Sequence, residues 1–298
     1  MTDTLLNLSN DLASIVDAAG PGVVRVEARR RLPASGVVWS PEGVIVTAHH
    51  VVERDDDLRI GLGSGETVTA SIVGRDPTTD VAVLRAQVTS LSPASWADPG
   101  TSRVGHLVLA LGRPRRSVRA TLGIMSAVGD GWRTPAGGSV DHYLQTDAAM
   151  HPGFSGGPLV DANGHVLGLN TSALLRGITV AIPVLTVSRV VETLLAYGKI
   201  QRGYLGVGVQ PARLPGTLAQ QIGQETGLLV ISVEAGSPAD QSGLLLGDTL
   251  VSLDAEPLRY PDDLLAKLTG DTVGKQVQVR LVRGGQTQMA SVTVSARS

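Results

Sequence analysis

The 298-residue chain carries 25 basic and 27 acidic side chains, 42% hydrophobic residues, 36 glycines, 16 prolines and no cysteine. Its length suits two compact domains of about 100–200 residues with ample apolar volume for cores, which excludes disordered, collagen-like and coiled-coil chains. A formal charge of −2, with no basic run interleaved with aromatics, argues against nucleic acid as a partner, and the lack of thiols excludes disulfide scaffolds, cysteine nucleophiles and cysteine-ligated zinc.

The first twenty residues, MTDTLLNLSNDLASIVDAAG, hold three acids and neither Lys nor Arg, unlike the basic start of a secretory leader. Leu5, Leu8, Leu12, Ile15 and Val16 recur at helical spacing and predict a docking helix within segment 1–20. No apolar run reaches the ~18 residues of a membrane span, so no stable span is expected. The expected address is cytoplasmic as encoded, or periplasmic or envelope-bound if an upstream segment is missing.

From Gly22 to Ala86, valine-rich runs alternate with Gly, Pro and Asp: GVVRVEARRR, SGVVWS, GVIVTA, LRIGL, ETVTASIVG and DVAVLRA. Short runs of this kind predict six strands and a small antiparallel barrel. The polar stretch SPASWADPGTSR at 92–103 separates them from a second series, HLVLAL, QTDAA, HVLGLNTSA and ITVAIP, which predicts a second barrel. Helical spacing returns over Pro183–Tyr197, with Val187, Val190, Val191, Leu194 and Leu195 on one side and Gly198 at the stop position. After GKIQRG at 198–203, further strands and two short helices are expected. One follows Ser237 as cap and Pro238 at the first helical position, and the other covers Asp262–Leu268. A hairpin then turns at Gly284–Gly285.

Three segments carry chemistry. In HPGFSGGPL, Ser155 lies between Gly153 and the Gly156–Gly157 pair, so the backbone bends sharply around a hydroxyl and presents consecutive N–H groups to a ligand. A serine needs a base, and the base needs an orienting group. TAHHVV supplies His49 and His50 at the end of one strand, and DPTTDVAV supplies Asp76 and Asp80 before another. Taken alone, Asp80 reads as a turn or capping acid and Ser155 as a surface hydroxyl.

TAHHVV, DPTTDVAVL, QTDAAMHPGFSGGPLVDANGHVLGLN and TVAIP together resemble the HtrA (Deg) family of trypsin-like serine proteases, over nearly the whole chain. GYLGVGV and EAGSPADQSGLLLGDTLVSLDAEPL resemble a PDZ domain. The resemblance implies a mainly β fold: a double six-stranded, chymotrypsin-like barrel protease over 21–198 and an α+β PDZ domain over 201–298. It makes His50 the general base and then acid, Asp80 its orienting carboxylate and Ser155 the nucleophile. His49 stands where relatives have asparagine and reads as a neighbouring polar residue, and Asp76 reads as turn-forming beside Pro77.

The backbone N–H groups of Gly153 and Ser155 are implied to form the oxyanion hole. Phe154, the sole phenylalanine, stands where relatives show asparagine, with its side chain expected to project away from the oxyanion and to alter how the loop switches. Met150, Asn170, Thr171 and Ser172 are implied to line the S1 pocket. No acid is placed there to hold a basic P1 side chain, so aliphatic P1 residues are favoured; Met150 reads equally as core. Tyr204, Leu205, Gly206 and Val207 match the PDZ carboxylate loop, with Leu264 and Leu268 as pocket walls or core. The glycine-rich segment 129–142, with Arg133 as a candidate contact, resembles an activation loop.

Such hydrolysis needs no metal or cofactor. The implied partners are unfolded polypeptides and peptide C-termini. Relatives assemble as homotrimers through N-terminal aromatics, and residues 1–38 contain none, so that route to a trimer is not supported. The implied function is ATP-independent cleavage of unfolded or damaged proteins. The alternatives are a non-catalytic peptide-binding or chaperone-like protein that keeps the protease fold, and a scaffold in which the PDZ domain alone matters.

Overall fold

A computed structural model describes residues 2–30, 32–200, 202–268 and 270–296. The chain divides into two compact units, Met1–Ile200 and Gln201–Ser298. In the first, helix α1 (Thr2–Ala19) docks through its C-terminal half. Leu12, Ile15 and Val16 pack near Val23, Leu109 and Val160, whereas Leu5 and Leu6 lie exposed. Among the described residues, no helix is long and apolar enough to cross a membrane.

The expected six strands appear as β1 (Val23–Glu27), β2 (Ala34–Val38), β3 (Val44–Ala48), β4 (Leu58–Gly61), β5 (Thr67–Asp76) and β6 (Val81–Ala86). They close into a barrel in the order β1-β2-β3-β6-β5-β4. The second barrel uses β7 (Leu107–Gly112) and β8 (Arg119–Gly129). After a small hairpin of β9 (Trp132–Arg133) and β10 (Ser139–Val140) come β11 (Tyr143–Thr146), β12 (Pro158–Val160), β13 (Val166–Thr171) and β14 (Val180–Pro183). Its order is β11-β14-β13-β12-β7-β8. The strand β8 escapes the sequence reading for a physical reason: Leu122, Ile124 and Val128 face outward and Met125 alone is fully buried, so no buried alternation marks it.

Helix α2 (Val184–Tyr197) ends where Gly198 takes the left-handed conformation (φ 72°) and its N–H bonds to the Leu194 carbonyl. The strands β3 and β6 read as continuous apolar runs because both faces are buried. Ile45 and Leu84 fill the first barrel with Val26 and Ile60. On their other face, Val44, Val46, Val81 and Val83 join Leu169 and Ile182 of the second barrel and Val187, Val190, Val191 and Leu194 of α2. That shared apolar layer holds the two barrels in register.

The second unit contains β15 (Gly203–Tyr204), β16 (Val207–Arg213), α3 (Gly216–Ile222), β17 (Thr226–Val233), α4 (Pro238–Gln241) and β18 (Thr249–Leu253). It continues through β19 (Glu256–Pro257), α5 (Pro261–Lys267), β20 (Gln276–Arg283), β21 (Gln286–Thr293) and β22 (Ser295–Ala296). The sheet runs β16-β17-β18-β20-β21, with β19 on β18 and β15 paired to β22. Ser237 caps α4, its hydroxyl accepting from the Asp240 N–H. Two helices are expected here, and the described residues hold three α-helices. The short α3, with Leu218 its single buried side chain, is too brief to show a helical period.

Asp248, fully buried, accepts two 2.7 Å bonds from the Arg283 guanidinium and one from the Leu245 N–H. Burial alone pushes its carboxyl up, but the bonds from Arg283 and Leu245 prevail and hold it below the ordinary aspartate value. A depressed folded pKa contributes stability above the unfolded value near 4, which is lost as pH falls through the folded value. Arg283→Met is therefore expected to cost about 2–3 kcal/mol at pH 7 by stranding a buried anion, and to weaken the acid-dependent loss. Urea unfolding of the full chain at pH 7 and pH 3 checks both effects.

Candidate active site

The register of the first barrel brings the first two chemical groups together. The strands β3 and β6 are antiparallel neighbours with Ala48 opposite Val81, so the residues just after one and just before the other lie side by side. His50 sits in the short helical turn His49–Val51, and Asp80 enters β6 at φ 61°, a left-handed conformation that aspartate tolerates better than most residues. The His50 N–H donates to Asp80 Oδ1 at 2.8 Å, and Nδ1 lies 2.8 Å from Oδ2. A third donor comes from the second barrel, Thr171 Oγ1, at 2.5 Å from Oδ2. The carboxylate, 3% exposed, thereby fixes the imidazole with Nδ1–H toward itself and leaves Nε2 as the outward base.

The rival residues are engaged elsewhere. The His49 N–H donates to the Asp80 carbonyl, and its buried Nδ1 has no partner among the described residues. Burial pulls the His49 pKa below that of an ordinary histidine, outweighing the pull of Asp80. Asp76 is buried in a turn of its own, accepting from the Thr78 N–H and the Thr78 and Thr79 hydroxyls.

The loop His151–Gly157 delivers Ser155 from the second barrel. Gly153 (φ 92°) and Gly156 (φ 82°) adopt conformations that favour glycine, and a Cβ on Gly156 would come within 2.2 Å of Thr47 Oγ1. The N–H groups of Gly153 and Ser155 find no acceptor among the described residues. Ser155 Oγ meets Ser172 Oγ at 3.3 Å and makes no hydrogen bond to His50. Phe154 is fully buried in the second-barrel core with Leu144, Leu159 and Ala181, its ring edge-on to His151, with centroids 5.6 Å apart.

The four residues expected to line a pocket separate into two pairs. Met150 is half-buried against the second-barrel core, and Ser172 is exposed beside Ser155. Asn170 and Thr171 lie in β13, which is buried on both faces, so their side chains point into the protein. Asn170 is 0% exposed and its Nδ2 donates to the Pro158 and Leu111 carbonyls, while Thr171 is committed to Asp80. The sequence reading missed Thr171 as a partner of the carboxylate, and a threonine in a buried strand offers no signal of it. In the 129–142 segment, Arg133 bonds to the Gly137 carbonyl within its own hairpin. Thr134 Oγ1 ties that hairpin to the Thr78 carbonyl in the turn leading to Asp80.

In the second unit, Gly203–Val209, Ser232–Glu234 and one side of α5 line a groove of about 440 Å³. Gly206 (φ 82°) approaches Ser237 too closely for any side chain. The Leu205 and Gly206 N–H groups find no acceptor among the described residues. Leu264 and Leu268 wall the groove and also belong to the core cluster with Leu205, and the Tyr204 hydroxyl donates to Glu234.

Residues 34–169 match the trypsin-like peptidase domain family and residues 203–294 the PDZ domain family. A DegP-like periplasmic serine endoprotease of Chlamydia trachomatis is 34% identical over 277 residues, covering 91% of this chain and 55% of that protein. One from Rhizobium meliloti is 34% identical over 273 residues, covering 89% and 54%. The chain thus spans about half the length of these curated relatives. Among solved structures, the serine endoprotease of Yersinia pestis superposes with a TM-score of 0.79 at 30% identity, covering 96% of this chain and 98% of that one. The HtrA-type protease AlgW with a tripeptide gives 0.75 at 30%, covering 96% and 97%. The cytoplasmic address expected from the acidic N-terminus is corrected by this similarity, since both relatives are named as probable periplasmic endoproteases. Export is read from a leader and leaves no mark on folded domains, so a docked helix does not report it. With both barrels, the PDZ sheet and full-length structural matches at this identity, the chain belongs to the HtrA (Deg) family of trypsin-like serine proteases.

Proposed function

We propose that this chain is a serine endopeptidase that works without ATP on unfolded or damaged proteins, with its proteolytic domain at 21–198 and its PDZ domain at 201–298. The observation that carries the reading is the buried Asp80 carboxylate, which orients His50 with help from Thr171, beside a serine loop with two N–H groups that have no acceptor among the described residues. In this reading Ser155 Oγ attacks the scissile carbonyl while His50 Nε2 takes its proton and later delivers it to the leaving amine. The N–H groups of Gly153 and Ser155 receive the oxyanion. Substrate binding brings Ser155 Oγ from Ser172 to the imidazole, because such bonds are often long in unliganded enzymes and tighten in the Michaelis complex. P1 residues are aliphatic, set by Met150. The PDZ groove takes a peptide C-terminus on the Leu205–Val207 N–H groups as an added strand along β16 and tunes the rate.

A fluorophosphonate probe tests this. It is expected to label the wild-type chain and not Ser155→Ala, with peptides ending in a free carboxylate changing the labelling rate. The contact of Ser155 with Ser172 instead of His50 favours a second reading, a non-catalytic peptide-binding or chaperone-like protein on the same fold. Wild-type chain that resists the probe even with such peptides present would establish that second reading.

A further inference from the structure

Ser35, on β2 of the first barrel, is fully buried and every polar atom it has is spent. Its N–H donates to the Ser155 carbonyl at 3.2 Å and its Oγ donates to the Gly153 carbonyl at 2.6 Å. The same Oγ accepts from the Arg113 N–H at 2.7 Å, and the Ser35 carbonyl accepts from Thr47 Oγ1 at 2.7 Å. Arg113 is in turn anchored by its guanidinium, which donates to the carbonyls of Val23, Gly20 and Arg116. One first-barrel residue therefore holds two carbonyls of the nucleophile loop, which belongs to the second barrel.

The pattern along that loop is specific. The peptide plane joining Gly153 to Phe154 is held at both ends, its carbonyl by Ser35 Oγ and its N–H by the His151 carbonyl. The plane joining Ser155 to Gly156 is held likewise, by the Ser35 N–H and the Asn170 carbonyl. The N–H groups of Gly153 and Ser155 belong to the planes between and beside these, and neither has an acceptor among the described residues. The plane between them, which carries the Ser155 N–H, is held at its Phe154 carbonyl by the Gly157 N–H at 2.9 Å; since a peptide unit is rigid, these bonds together dictate how the two N–H vectors point, and Ser35 supplies the ones that come from the first barrel.

We infer that Ser35 is a positioning residue for the oxyanion hole, aiming the Gly153 and Ser155 N–H groups through its hydroxyl without touching substrate. The inference rests on the endopeptidase reading. Loss of the hydroxyl frees the Gly153 carbonyl and lets the adjacent planes turn, so stabilisation of the tetrahedral state falls while ground-state peptide binding does not.

The test uses the full chain with Ser35→Ala and Ser35→Gly, a chromogenic peptide substrate and a peptide boronate that forms a tetrahedral adduct on serine. Folded fraction comes from near-UV circular dichroism. Both variants are expected to lose about 10- to 100-fold in kcat per folded molecule, with KM within about twofold and the boronate Ki raised by the same factor as kcat falls. A loss of rate that disappears on correction for folded fraction, with unchanged boronate Ki, overturns the role and assigns Ser35 to stability alone. Variants equal to wild type overturn it as well and leave the endopeptidase reading intact. Wild-type chain that neither cleaves the peptide nor binds the boronate overturns that reading, and this role with it.

Discussion

Asp80→Asn is expected to lower kcat for a peptide substrate about 10⁴-fold with little change in KM. The carboxylate accepts from the His50 N–H, from His50 Nδ1 and from Thr171 Oγ1. An amide in its place presents an NH₂ group to one of those donors, which either breaks the cluster or forces the imidazole into the tautomer with Nε2 protonated. In that tautomer Nε2 cannot accept the Ser155 proton. The His50 main-chain bond and the first barrel survive, so substrate still binds and the melting temperature moves little. Steady-state kinetics with a chromogenic peptide measures the split, and a variant within tenfold of wild type would remove Asp80 from the proposed triad.

The second large effect concerns stability. Phe154→Asn is expected to cost about 3–5 kcal/mol, because the substitution removes a fully buried ring, the largest such side chain among the described residues, and places an amide among Leu144, Leu159 and Ala181. For a unit of this size that corresponds to a fall of roughly 10 °C in melting temperature. Asparagine is the residue the family resemblance leads one to expect here, so this chain has turned a loop position into a core anchor. The anchor sits between the two proposed oxyanion donors, and its loss should also loosen the loop. Thermal unfolding followed by near-UV circular dichroism is the check, and an unchanged transition would show that the ring contributes nothing to the core.

In this chain the motif residues take their roles from geometry. Asp80 and Asp76 are equivalent as letters in DPTTD, and so are the two histidines of TAHH. The barrel separates them by pointing Asp76 into its own threonine turn and His49 into the protein. Asn170 and Thr171, read from resemblance as pocket residues, turn out to be buried because β13 has both faces covered.

Local patterns in the amino-acid order were sufficient for the first barrel, for α2 with its Gly198 stop, for the α4 cap at Ser237 and for the glycine-bent serine loop, because alternation, capping and left-handed turns are short-range physics. What lay beyond them were contacts between elements remote along the chain. The bond from Thr171 to Asp80 crosses 91 residues, and the bond from Ser35 to Gly153 crosses 118. No window of neighbouring residues encodes such pairs; they exist because two closed sheets are pressed together by a shared apolar layer, and only packing at that distance decides which buried hydroxyl meets which carboxylate or carbonyl.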